Sequence, residues 1–317
     1  MLKVEITRGD YVESTHQVHA RVESANGTVL LNTSKDFDFF PRSAIKPIQS
    51  YLLLKSGAYE GLNLDLRHLA LASSSHIGEK QHTDLVLSWL EKLELDQAAL
   101  RCGAHAPGDA DSSFLLRQNN QQPRAIHNNC SGKHTGFLSV CKHLKFPIEN
   151  YHHIEHPLQQ KLKQVLENEL ECELKHFGID GCSIPAFYMS FHQMSRAFAK
   201  MAGRAYADSN SAAGMVFQAF ARFPELTSGK DQYYTQVMVK NSGRILSKGG
   251  AEGIVAGIIP EKKISILVKS SDGSHRGAQS AFDYLVHAFG GLEMALSPLI
   301  TNWVGTHVGV VRVALPL

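Results

Sequence analysis

Apolar and polar residues alternate from the start of the chain. The segments KVEITRG (3–9) and HQVHARVES (16–24), and GTVLLNT (27–33) after the turn signal Ala25-Asn26-Gly27, have the period-two pattern of half-buried strands. They predict an antiparallel meander. Further strand-like runs are HLALASSS (68–75), HFGIDGCS (176–183), GRILSKGG (243–250), KISILVKS (263–270) and HVGVVRVALPL (307–317). Between them the apolar period lengthens to that of helices, at about 47–57, 79–95, 131–145, 156–172, 190–202, 210–222 and 274–289. Strands towards both ends with helices concentrated between them predict an α+β fold, in which N- and C-terminal strands share one mainly antiparallel sheet with packed helices. There are no repeats and no linker, so a single domain over 1–317 is expected, with a helical subdomain within about 79–175.

Composition narrows the class. With 317 residues, 43% of them hydrophobic, the chain can bury a core without disulfides or metal. A formal charge of +2 provides no general attraction to nucleic acid or anionic lipid. The opening MLKVEITRGDYVEST lacks a basic segment followed by an apolar one, and no apolar run approaches the roughly 20 residues that span a bilayer. A cytoplasmic protein with no nucleic-acid or membrane partner is the expectation. Five cysteines, an odd number, then favour free thiols or metal ligands over a disulfide framework.

The candidate chemistry sits in four short stretches. RSAIKP (42–47) holds an S-x-x-K in which Ser43 and Lys46 share one helical face, and Pro47 biases the segment towards a 3₁₀ turn. A lysine can deprotonate such a serine only when burial or a second cation favours its amine form. SKGGAEG (247–253) resembles the K-T-G element that accompanies S-x-x-K in penicillin-binding proteins and β-lactamases. Lys248 is then the candidate second cation, and Gly249 and Gly250 let backbone N–H groups approach an oxyanion or a carboxylate.

SSSHIGEKQH (73–82) reads as the end of a buried strand and the start of a helix, with Ser75 at the helix N-terminus and Glu79 in its first turn. A plain capping role is the alternative for this serine. HNNCSGKHTG (127–136) puts Cys130 and Lys133 three residues apart at a helix start, and GIDGCSIPAF (178–187) puts Asp180 two residues before Cys182. No C-x₂-C pair supports a conventional structural zinc site, and a Cys130 nucleophile activated by His127 or His134 stays open beside a ligand role.

In their order, the segments EITRGDYVES, FPRSAIKPIQ, SSSHIGEKQH, RCGAHAP, HNNCSGKHTGF, GIDGCSIPAF, KGGAEG and DGSHRGA resemble the rhizobial-type (class 3) L-asparaginases, the asparaginase II family of amidohydrolases. That resemblance implies a fold akin to serine β-lactamases and glutaminases, a homodimer, and hydrolysis of L-asparagine to L-aspartate and ammonia. It implies two Ser–Lys pairs, Ser43 with Lys46 and Ser75 with Lys248, and substrate contacts from Arg42, His76, Asp180, Gly249 and Gly250. It also implies a zinc held by Cys130, Lys133 and Cys182, with Asp180 as an additional contact, positioning substrate rather than activating the nucleophile. Two positions depart from the family pattern and bear on substrate fit: Ile77, where a polar residue is expected, and Ser274, where an acid is usual. The alternatives are a glutaminase, whose substrate is one methylene longer, and an asparagine sensor without turnover. β-Lactamase activity is disfavoured because no S-D-N lies between the two lysine motifs.

Overall fold

The computed structural model describes residues 1–314, so the last three residues of the run 307–317 lie outside the described part. The chain forms two compact units. One comprises Met1–Ala44, Met189–Ala207 and the chain from Gln236 onward; the other comprises Ile45–Tyr188 and Asp208–Thr235.

The first unit is built on an eight-stranded antiparallel sheet. Its strands are β1 (Leu2–Arg8), β2 (Tyr11–Ser24), β3 (Val29–Asn32), β4 (Leu246–Gly250), β5 (Ile254–Ile259), β6 (Ile264–Ser270), β7 (Leu299–Thr301) and β8 (His307–Ala314). The order is β7-β8-β1-β2-β6-β5-β4, with β3 paired to β2 off that path. N- and C-terminal strands therefore do share one sheet, and the α+β class is the observed one. In β6 the side chain of Ser265 donates to the Ser195 carbonyl of the helix Phe191–Ala207. The neighbouring position, Ile266, pairs with Gly257, where a Cβ would come within 2.5 Å of Phe282 on the helix His275–Gly290. Successive residues of a strand face opposite ways, so the two helices cover opposite faces. That is why β5 is buried at all six positions and reads as a continuous apolar run.

The second unit is mainly helical. Its longer helices are Leu66–Ala72, Lys80–Lys92, Ala110–Gln118, Ser131–Leu144, Pro157–Leu170 and Ala212–Arg222. A small hairpin pairs Phe177–Ile179 with Pro185–Phe187. The expected strand HLALASSS is instead the helix Leu66–Ala72. Asp65 accepts from the backbone N–H groups of Arg67 and His68 while the His68 ring accepts from the Asp65 N–H, a reciprocal cap. A short apolar run buried all round has no periodicity to separate helix from strand, and the cap decides it. The expected helix at 47–57 is broken into Lys46–Gln49 and Tyr51–Lys55.

Helix Ser131–Leu144 lies tightly against Leu66–Ala72. A Cβ at Gly132 would stand 2.4 Å from the Leu71 carbonyl oxygen, so only glycine allows this approach.

Candidate active site

Lys46 is the centre of the candidate site in the helical unit. It follows the 3₁₀ turn Arg42–Ile45 directly and opens its own short helix, with Pro47 in the first turn where a missing N–H goes unnoticed. Its side chain is buried, and Nζ donates to the Ser74 carbonyl, to Ser75 Oγ at 3.1 Å and to Cys130 Sγ at 3.0 Å. Three acceptors around an amine that carries at most three N–H bonds fix its position.

Ser75 is half-buried in the loop after Leu66–Ala72 rather than at a helix N-terminus. The next helix begins at Lys80 with Glu79 as its N-cap, so Ser75 lies outside the reach of that dipole and Glu79 outside the first turn. The loop is held by backbone bonds, Ser75 N–H to Thr227 O at 3.0 Å and His76 N–H to Asn129 O at 3.2 Å. Ile77 packs towards Gly108 and Gly229, where a Cβ would stand 3.3 Å and 2.5 Å from its side chain.

The His76 ring is fully occupied. Nε2 lies 2.8 Å from Ser131 Oγ, and Nδ1 accepts the Gly78 N–H at 3.1 Å. Burial, reinforced by the neighbouring His82, pushes its pKa well below the ordinary histidine value.

Cys130 is the N-cap residue of helix Ser131–Leu144. An Asx turn places it: Asn128 Oδ1 accepts the Cys130 N–H at 2.8 Å, and Asn128 Nδ2 donates to the Cys102 carbonyl at 2.8 Å. One helical turn on, Lys133 Nζ donates to Cys182 Sγ at 2.9 Å. Cys182 comes from the turn of the small hairpin, which is pinned by Asp180 N–H to Ile184 O and Ser183 N–H to Asp180 O, with Ser183 in the left-handed region at φ 73°.

Cys130 Sγ, Cys182 Sγ and an Asp180 carboxylate oxygen all lie within 4.8 Å of one another. The hydrogen bond from Cys182, with the charges of Lys133 and Lys46, holds the Cys130 thiol well below its usual range although burial opposes this. The same bond, together with burial, pushes Cys182 up. Burial disfavours the Lys133 ammonium, yet Cys130 and Cys182 outweigh it and raise that group above the ordinary lysine value. Two sulfurs and a carboxylate oxygen at these separations, with the Lys133 nitrogen hydrogen-bonded to one of the sulfurs, are a donor set that could hold zinc, whose ligands must shed their protons on binding.

Ser43, Arg42, Lys248, Gly249 and Gly250 belong to the sheet unit. Arg42 has φ 48°, a left-handed conformation unusual for a residue with a side chain, and Ser43 follows it half-buried in the 3₁₀ turn. Lys248, Gly249 and Gly250 lie on β4, paired with Ala256, Val255 and Ile254. The buried Lys248 Nζ donates to the Gly249 carbonyl at 2.7 Å. A Cβ at Gly250 would stand 2.8 Å from Pro41 O and 2.9 Å from Ala44 N, so the Ser43 turn rests directly on β4.

The residue reading overlooked Ser131 and Asn128. Both lie in HNNCSGKHTG, where Asn-x-Cys before a helix is a usable signal for an Asx turn, while the Ser131 partner is 55 residues away and leaves no local trace. Ser274, the other departure from the family pattern, caps helix His275–Gly290 by accepting the Gly277 N–H.

Comparison with known proteins gives the family. The L-asparaginase II family profile matches residues 4–313, and the chain belongs to that family of amidohydrolases. Comparison with curated proteins found no match. Among solved structures, a β-lactamase from Mycobacterium bovis is similar at 15% identity, with 86% of this chain and 94% of that one covered and a TM-score of 0.46. A putative β-lactamase from Bacteroides dorei shows 10% identity over 80% and 85% of the two chains, TM-score 0.44. A probable glutaminase from Bacillus subtilis complexed with 6-diazo-5-oxo-L-norleucine shows 13% identity over 88% and 85%, TM-score 0.39. Among the described residues no helix is long and apolar enough to cross a membrane.

Proposed function

We propose that the chain hydrolyses the side-chain amide of L-asparagine to L-aspartate and ammonia through a serine acyl-enzyme. The observation that carries this reading is the hydrogen bond between Lys46 Nζ and Ser75 Oγ, with Lys46 fixed by two further acceptors. A lysine nitrogen and a serine oxygen at this distance can pass a proton between them once Lys46 has given up one of the three hydrogens it donates.

Ser43, assigned by the family resemblance, attacks the amide carbonyl carbon with its Oγ, and its proton passes to Lys46 in the amine form. Collapse of the adduct breaks the C–N bond, and ammonia leaves with a proton returned from Lys46. Water then attacks the ester carbonyl, gives its proton along the same route, and frees aspartate with Ser43 restored. Ser75, bonded to Lys46, relays these protons. Backbone N–H groups of Gly249 and Gly250 are the proposed oxyanion or carboxylate contacts, with Arg42 and Asp180 completing the substrate contacts and Lys248 contributing positive charge. Zinc on Cys130, Lys133 and Cys182 would supply a fixed positive charge that orients substrate. The family resemblance also supports a homodimer in the cytoplasm.

The test is ammonia release by the purified protein from L-asparagine and L-glutamine, with Ser43→Ala and Ser75→Ala alongside. One methylene in a pocket is worth about 1–3 kcal/mol, so asparagine should be preferred by roughly 10- to 200-fold in kcat/KM. A preference for glutamine would make the protein a glutaminase. Full activity in Ser43→Ala with loss in Ser75→Ala would move the nucleophile to Ser75.

A further inference from the structure

We infer that His76 is a positioning residue that holds Ser75 against Lys46 through its hydrogen bond to Ser131. The inference rests on the place of Ser75 in the chemistry proposed above.

Five residues form a closed ring. Ser75 is joined to His76 by a peptide bond, the His76 ring to Ser131 Oγ by a 2.8 Å hydrogen bond, and Ser131 to Cys130 by a second peptide bond. Cys130 Sγ then meets Lys46 Nζ at 3.0 Å, and Lys46 Nζ meets Ser75 Oγ at 3.1 Å. The His76–Ser131 link ties the loop that carries Ser75 to the helix that carries the thiol partner of Lys46. The backbone bonds from Ser75 to Thr227 and from His76 to Asn129 hold the main chain of the loop, and the ring bond adds the link that fixes it to Ser131, so opening that link lets the Ser75 side chain shift relative to Lys46.

The direction of each proton follows from the partners. Ser131 has one hydroxyl hydrogen and donates it to the Ile126 carbonyl at 3.0 Å, so towards His76 it can only accept. Nε2 of His76 therefore carries the ring hydrogen, and Nδ1 is the acceptor that takes the Gly78 N–H. The ring stacks on His82 at 4.7 Å and 12°; His82 donates its own Nε2 hydrogen to the Glu225 carbonyl. With no ring atom left over, His76 serves the site through Ser75 rather than by touching substrate.

The two ring bonds can be separated by substitution. Glutamine at this position places an N–H donor near the Nε2 site and keeps the Ser131 bond; asparagine places an oxygen near the Nδ1 site and keeps only the Gly78 bond. The experiment measures kcat and KM for ammonia release, with melting temperature, for His76→Gln, His76→Asn, Ser131→Ala, His76→Asn/Ser131→Ala and Ser75→Ala. Misplacing a reacting group by about 1 Å costs roughly 100-fold, so His76→Asn and Ser131→Ala should each lower kcat by about that factor with KM within about twofold. His76→Gln should recover most of kcat at a melting temperature no higher than that of His76→Asn. The double variant should be no slower than the slower single one. Equal kcat for the Gln and Asn variants, or wild-type kcat in both His76→Asn and Ser131→Ala while Ser75→Ala is inactive, overturns the assignment. Wild-type turnover in Ser75→Ala would instead show that the reading of Ser75 is wrong, whatever His76 does.

Discussion

A methyl group added at Gly250 tests how closely the Ser43 turn must be held. The new Cβ would lie 2.8 Å from Pro41 O, 2.9 Å from Ala44 N and 2.8 Å from Ile254 Cγ2, whereas ordinary contact begins at 3.4 Å. Ile254 can adjust through its side chain, but the other two atoms are backbone on either side of Arg42–Ser43. The turn must therefore retreat by about 0.6 Å, the difference between 2.8 and 3.4 Å. Overpacking of this kind costs about 1–3 kcal/mol in stability. A sub-ångström shift of the attacking oxygen should lower kcat by one to two orders of magnitude, since about 1 Å is worth roughly 100-fold. The assay is kcat for ammonia release beside urea unfolding. Gly203→Ala is the control: its Cβ would meet Ala25 Cβ at 2.6 Å in the same unit, with no contact to the turn. Comparable destabilisation in both variants with activity lost only in Gly250→Ala is the expected result. Wild-type kcat in a folded Gly250→Ala would refute the argument that this contact places Ser43.

Two further predictions concern the metal and the buried histidine. Protein purified without chelator should carry about one zinc per chain by elemental analysis, lost in Cys130→Ser and lost progressively from the wild type as pH falls, because the sulfur and amine ligands must shed protons to bind. Because the folded state keeps His76 neutral while the unfolded chain takes a proton below about pH 6.5, His76 should cost the fold up to about 1.4 kcal/mol for each pH unit below that value. His76→Gln should flatten the urea-unfolding stability profile between pH 7 and 5 by about that slope, and parallel profiles for the two proteins would count against a neutral His76.

Helices were the most legible part of the fold. The segments at 131–145, 156–172 and 274–289 match Ser131–Leu144, Pro157–Leu170 and His275–Gly290 because each has a long amphipathic or apolar pattern with clear end signals. The misreading of 68–75 has a consequence at the site. With a helix there instead of a strand, Ser75 lies on a loop whose course depends on Thr227 and Asn129, residues far away in sequence. The contact between Lys46 and Ser75 spans 29 residues and that between Lys46 and Cys130 spans 84; no local pattern encodes either. By contrast, Cys130 with Lys133 was readable, because spacing of three at a helix start puts both side chains on one face. Cys182 joins them only through the hairpin turn at 180–184, which the sequence signals as Asp-Gly but does not aim.

Acylation of a serine of this chain during amide hydrolysis is tested most directly by trapping the ester. Protein mixed with L-asparagine should be quenched in acid within the first turnovers, digested and analysed by mass spectrometry. An aspartyl adduct is expected on the peptide containing Ser43, absent in Ser43→Ala. An adduct on Cys130, or steady ammonia release with no adduct on any serine under conditions that trap a known acyl-enzyme, would contradict it.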